Sequence, residues 1–117
     1  MKILFLLCIS LAVNVMCEEL MGVPNRQVYV DESKVNEKKL TESLMLENRI
    51  HIKKVNGVYY WVSRKETVLN KINSGIYDIY VSPEGAGYVK VNNQTDEYIE
   101  HVHLGLKTIT YYGIIIK

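Results

Sequence analysis

The chain has 117 residues, with 14 basic and 13 acidic side chains, which is material for one domain. A formal net charge of +1 excludes binding driven by gross charge, since there is neither a basic excess for a phosphate backbone nor an acidic tail. With 48% hydrophobic and 23% charged residues the chain is too apolar for wholesale disorder, and one long apolar run is too few for a multi-spanning membrane protein.

That run comes first. Met1-Lys2 is a short basic tip, Ile3 to Ala12 is almost continuously apolar, and Glu18-Glu19 marks an abrupt polar switch. The pattern predicts a secretory signal peptide over residues 1–17. It is shorter than the roughly 20 residues that span a bilayer. Lipidation of Cys17 fits poorly because bulky Met16 precedes it. Cleavage after Cys17 removes both cysteines, Cys8 and Cys17, and leaves a single globular domain at 18–117. The expected mature chain is formally neutral and free of thiols, in a compartment that permits disulfides. Its size suffices to bury a core unaided. Secretion to the exterior or the periplasm is expected. On a eukaryotic route, Asn93 of Asn93-Gln94-Thr95 fits a glycosylation sequon.

Further along, Gln27 to Val30 predicts a short strand. Glu32 to Asn48 lacks Gly and Pro and is rich in Lys, Glu and Leu, which predicts a longer helix, although only Leu40 and Leu44 are properly spaced for one face. Ile50 to Val55, Asn56-Gly57 and Val58 to Ser63 predict a hairpin with a type I′ turn, in which Val55 faces Val58 and Ile52 faces Trp61. Ile50, Ile52, Tyr59 and Trp61 then share one face. The other carries Val55, Val58, Tyr60 and Val62, apolar enough to expect cover from the C-terminal strands, another chain or a ligand.

Arg64 to Ser74 predicts a second, short helix stopped by Gly75. Ile76 to Val81 and Gly87 to Val91 read as strands around the Ser82-Pro83-Glu84-Gly85 turn. Tyr98 to Leu104 and Leu106 to Ile116 read as two more, with Gly105 and Gly113 as bends or bulges. The expected class is α+β: a mainly antiparallel sheet, one longer N-terminal helix and a second short helix.

Tyrosine is the compositional outlier, with nine copies, all after residue 17, beside the lone Trp61. Strand preference accounts for much of this. Tyr and Trp also make large rigid contacts at interface hot spots. A solvent-side group of Tyr80, Tyr88 and Lys90 is one arrangement that alternation allows.

His101 and His103 form His-x-His on an expected strand, so both imidazoles share a face, and His51 is a candidate third nitrogen. The plainer reading is exposed strand histidines with no metal and no cofactor. There is no Gly-x-Ser-x-Gly elbow and no mature cysteine. Gly85-Ala86-Gly87 lacks the helix of a phosphate cradle. Lys38-Lys39 and Lys53-Lys54 are dispersed, so no basic stripe for nucleic acid appears.

Leu20-Met21-Gly22-Val23-Pro24, an expected helix, the Lys53-Lys54-Val55-Asn56-Gly57 hairpin loop, Tyr59-Tyr60 and Pro83-Glu84 follow one another in order. Together, from Leu20 to about Asn92, they resemble the cystatins, secreted inhibitors of papain-type cysteine proteases. The family's loop carries Gln-x-Val-x-Gly, and Lys53 stands at the glutamine position. Its second loop carries Pro-Trp, and Glu84 stands at the tryptophan position. The resemblance implies a wedge of Gly22, Val55-Asn56-Gly57 and Pro83 that plugs a protease cleft. The expectation is therefore a secreted, non-catalytic protein that binds a protein partner, a protease by the resemblance. Its contact residues are expected at Gly22, Val55, Asn56, Gly57, Tyr59, Trp61, Tyr80, Pro83 and Tyr88. The alternative is metal binding or metal-dependent catalysis at the His-x-His pair.

Overall fold

The computed structural model describes residues 17–117, so the expected signal segment lies outside the described residues except for Cys17. The elements in chain order are β1 (Cys17–Asp31), β2 (Lys34–Lys39), α1 (Glu42–Glu47), β3 (Ile50–Val55), β4 (Val58–Trp61), a 3₁₀ turn (Val62–Arg64), β5 (Thr67–Ser74), β6 (Tyr77–Val81), β7 (Gly87–Asn92), β8 (Glu97–Leu104) and β9 (Lys107–Ile116). From β3 onward each strand pairs antiparallel with the next. β1 pairs with both β3 and β9, which closes the sheet. The result is an eight-stranded up-and-down barrel, with β2 as an extra strand on the far half of β1.

This corrects the α+β expectation: no long helix exists among the described residues. Lys34–Lys39 is an edge strand paired with β1, from Arg26↔Lys39 to Asp31↔Lys34, and every one of its residues is exposed. Lys and Glu favour a helix only weakly, and this stretch has no apolar stripe to dock one, so pairing with β1 prevails. Its charged side chains also blunt an otherwise open sheet edge. What remains of the helix is α1, capped by Thr41, whose Oγ1 accepts from the Leu44 amide at 3.3 Å.

The second expected helix is also a strand. Lys65 and Glu66 adopt left-handed backbone angles after the 3₁₀ turn, which ends any helix there. In β5, Leu69 points inward while Val68 and Ile72 point out, a period of two.

The Asn56-Gly57 hairpin has the expected register, with Val55↔Val58 and Ile52↔Trp61. Both turn residues have positive φ, 51° and 84°. Ile50, Ile52 and Trp61 are buried. The opposite face is the outer wall of the barrel. The cover expected there from the C-terminal strands does not form, because β9 closes onto β1 instead, and Val58 and Val68 stay exposed.

The core is the barrel interior. Ile50, Ile52, Trp61, Leu69, Tyr80, Val89, Val91, Tyr98, Val102 and Ile115 pack together there. Eight strands enclose just enough space for side chains to fill. Large and small residues alternate to achieve it. A Cβ on Gly22 or Gly113 would lie 2.5 or 2.8 Å from the Tyr98 ring, so these glycines make room for it. Pro24 sits inward beside Gly113. The register then shifts between Pro24 and Arg26, leaving Asn25 as an extra residue, which is how a proline is tolerated inside a paired strand.

Candidate functional site

In a barrel wall every second residue faces out. Register partners place Ile72, Ile79, Lys90, Ile99, Tyr112 and Arg26 in one outer row running from β5 round to β1. On this row lies a groove of about 380 Å³, lined by Arg26, Tyr77, Lys90, Ile99, Tyr112 and Ile114 among others. The β1 bulge re-aims Arg26 so that its guanidinium sits 4.1 Å from the centre of the Tyr112 ring, while its Nη1 pairs with Glu37 of β2 at 3.0 Å. Lys90 Nζ lies 4.3 Å from the centre of the Tyr77 ring, and among the described residues it makes no ion pair. Glu97, on the rim, accepts from the Thr95 hydroxyl at 3.1 Å.

Two cations held on aromatic faces, with Ile99 between them, suit a carboxylate beside an apolar side chain. The next outer row is Val81, Tyr88, His101, Thr110 and Val28. Tyr88 stacks on His101 with centroids 5.2 Å apart, and His101 and His103 lie edge to face at 4.8 Å. His101 Nδ1 is 2.8 Å from Thr110 Oγ1. Partial burial, and then the neighbouring His103, hold the His101 pKa below its ordinary value. His51 belongs to another part of the wall, on β3, where its Nε2 lies 2.7 Å from Glu19 Oε1. Among the described residues no group of three or more His, Cys, Asp or Glu side chains gathers to hold a metal.

The residues singled out from sequence divide by which side of the wall they occupy. Trp61 and Tyr80 point into the barrel, 0% and 5% exposed, and Gly22 is buried against Tyr98 and Ile50, so these three offer no contact surface. Tyr80 therefore leaves the solvent-side group. Val81 pairs with Tyr88 and Ile79 with Lys90, so Tyr77 is the tyrosine of β6 that faces out beside Lys90. Tyr59 stands at one mouth of the barrel, edge-on to Tyr80 at 5.3 Å. There Lys54 pairs with Glu18 and Lys71 with Asp78, both at 3.7 Å.

Val55 is half-buried and Asn56-Gly57 is an exposed turn at that same end. Pro83 is exposed, but its turn lies at the opposite end, because successive turns of an up-and-down barrel alternate between ends. The three parts of the wedge implied by the cystatin resemblance thus do not converge. Asn93 lies exposed in the β7–β8 turn.

Sequence reasoning missed Arg26, Ile99 and Tyr112. The β8–β9 hairpin pairs Ile99 with Tyr112, and only barrel closure through β9 and β1 adds Arg26, a pairing that no local pattern announces. It missed the interior polar cluster as well. Glu100, 1% exposed, accepts from Trp61 Nε1 at 2.9 Å and from Arg64 Nε at 3.2 Å. Nearby, the buried Tyr111 hydroxyl donates to Asn48 Oδ1 at 3.0 Å and accepts from Gln27 Nε2 at 3.2 Å, which ties the end of α1 to the barrel. The chain matches no protein-family model, no curated protein and no solved structure.

Proposed function

We propose that the protein is an exported, non-catalytic binding module whose outer groove holds a segment of a protein partner carrying an acidic residue next to an apolar one. The observation that carries this reading is the pair of ring-held cations, Arg26 on Tyr112 and Lys90 on Tyr77, flanking Ile99 in one groove. Rings hold the cations in place at little entropic cost to binding, and among the described residues no carboxylate pairs with Lys90. The barrel interior is filled by side chains, which leaves the wall as the recognition surface. The barrel interior is packed with apolar side chains, unlike the polar lumen of a membrane barrel, which favours an aqueous setting.

Fluorescence anisotropy with two labelled peptide pools tests this reading. The pools share their apolar residues and differ in carrying Asp and Glu or Lys. The acidic pool is expected to bind, Lys90→Glu is expected to weaken it at least about tenfold, and Lys107→Glu, at an exposed position at the opposite end of β9, is expected to leave it unchanged. Equal binding of the two pools, binding of neither, or indifference to Lys90→Glu overturns the proposal.

A further inference from the structure

Two imidazoles on the outer wall stand apart from the groove and have no role in it. His101 and His103 are two residues apart on β8, so their side chains leave the same face of the strand. Their ring centroids are 4.8 Å apart, within reach of one ion bound between them. His103 is exposed, and neither ring forms an ion pair among the described residues.

The surroundings treat the two rings differently. Thr110, the register partner of His101 on β9, holds its Nδ1 at 2.8 Å. The tautomer in which Nδ1–H donates to the threonine oxygen leaves the lone pair of His101 on Nε2, where an ion can take it. Tyr88, the partner on β7, stacks on the same ring at an interplanar angle of 24° and restricts its rotation. Metal-ligating histidines are typically held in this way, with the second ring nitrogen bonded to a neighbouring oxygen that sets tautomer and orientation. Among the described residues no such tether holds the exposed His103, whose ring can swing toward a shared ion.

We propose that His101 and His103 form a two-nitrogen site for a divalent late transition-metal ion, oriented by Thr110 and completed by water. Imidazole nitrogens suit copper and zinc, and copper(II) heads the affinity order for a given set of nitrogen ligands. With two protein ligands and open positions, the site is a surface chelate. It differs from a closed structural zinc centre, which takes four protein ligands.

The test uses the full chain without an affinity tag, with Cys8→Ser and Cys17→Ser introduced so that no thiol competes. Isothermal titration with copper(II) alone, and separately with zinc(II) alone, is expected to give one ion per chain, copper the tighter. Electron paramagnetic resonance of the copper form is expected to report two imidazole nitrogens. His103→Ala, at an exposed position where folding is not at stake, abolishes the stoichiometric binding, and so does His101→Ala. Thr110→Val keeps both ligands and weakens binding about 10-fold or more by releasing the His101 tautomer. His51→Ala leaves binding unchanged, since that imidazole is bonded to Glu19. The proposal fails if the parent takes up no stoichiometric ion, if binding survives His103→Ala, if His51→Ala removes it, or if one ion is bound per two chains.

Discussion

Trp61 donates its indole Nε1–H to Glu100 Oε2 at 2.9 Å inside the barrel, joining β4 to β8 across the core. Arg64, from the 3₁₀ turn after β4, reaches the same carboxylate, with Nε 3.2 Å from Oε2 and Nη2 3.4 Å from Oε1. A buried carboxylate is tolerated here because a donor and a cation meet it together. Glu100→Ala strips both of their acceptor and is expected to cost about 3 kcal/mol. Glu100→Gln keeps an acceptor for Trp61 and should cost less. Chemical denaturation measures both, and emission from Trp61, the chain's single tryptophan, shifts to the red if the indole loses its buried environment.

The same carboxylate makes stability depend on pH. Burial pushes the Glu100 pKa up, against the opposing pull of Arg64 and the indole. A carboxyl with a raised folded pKa holds its proton more tightly when folded than when unfolded. Its contribution is therefore most favourable below the ordinary glutamate range. It declines as pH rises from that range through the raised folded value, because the unfolded chain ionises first. The stability of the parent minus that of Glu100→Gln, from urea midpoints between pH 4 and pH 8, should fall with pH and then level. A difference that rises over this range contradicts the assignment.

Tyr98 and Tyr111 are both buried, yet their hydroxyls differ. Tyr98 Oη is the one buried side-chain polar atom among the described residues with no hydrogen-bond partner, whereas Tyr111 Oη has two. Leaving a buried polar group unpaired is unfavourable, and removing it lifts that penalty. Tyr98→Phe is expected to raise stability by about 1 kcal/mol, and Tyr111→Phe to lower it by a similar amount by stranding Asn48 and Gln27. Thermal unfolding of the two variants side by side checks the contrast.

Two glycines separate crowding from backbone conformation. A Cβ on Gly113 would fall 2.3 Å from the Val23 carbonyl oxygen and 2.6 Å from the Pro24 Cα, at the seam where β9 meets β1. Gly113→Ala must push the seam apart and should cost about 3 kcal/mol. Gly57 has open space around it and φ of 84°, so Gly57→Ala carries only the left-handed penalty of about 1 kcal/mol. Denaturant midpoints rank the two, and a larger loss at Gly57 would show that the seam yields more easily than its geometry suggests.

Local chemistry was legible wherever a short pattern decides the outcome. Asn56-Gly57 set the hairpin register because its angles favour few residues, and alternation in the last four strands located them to within a residue or two. The same local reading failed over Glu32–Asn48 and Arg64–Ser74. There, weak helix propensity yields to pairing with the neighbouring strands, β1 for Lys34–Lys39 and β4 and β6 for Thr67–Ser74. Tyr88 lies on the outer wall as expected but Tyr80 does not, because their relative register depends on the five-residue turn Ser82–Ala86, which has no single favoured geometry.

The sequence by itself determined which segments alternate, where the tight turn falls and that tyrosine dominates the strands, since these depend on neighbours a few residues apart. Only the tertiary structure decided that the sheet closes, and closure governs nearly everything functional. It turns one face of every strand into core, burying Trp61, Tyr80 and Glu100. It also brings Arg26 of β1 to Tyr112 of β9, building a groove from residues that no local interaction relates.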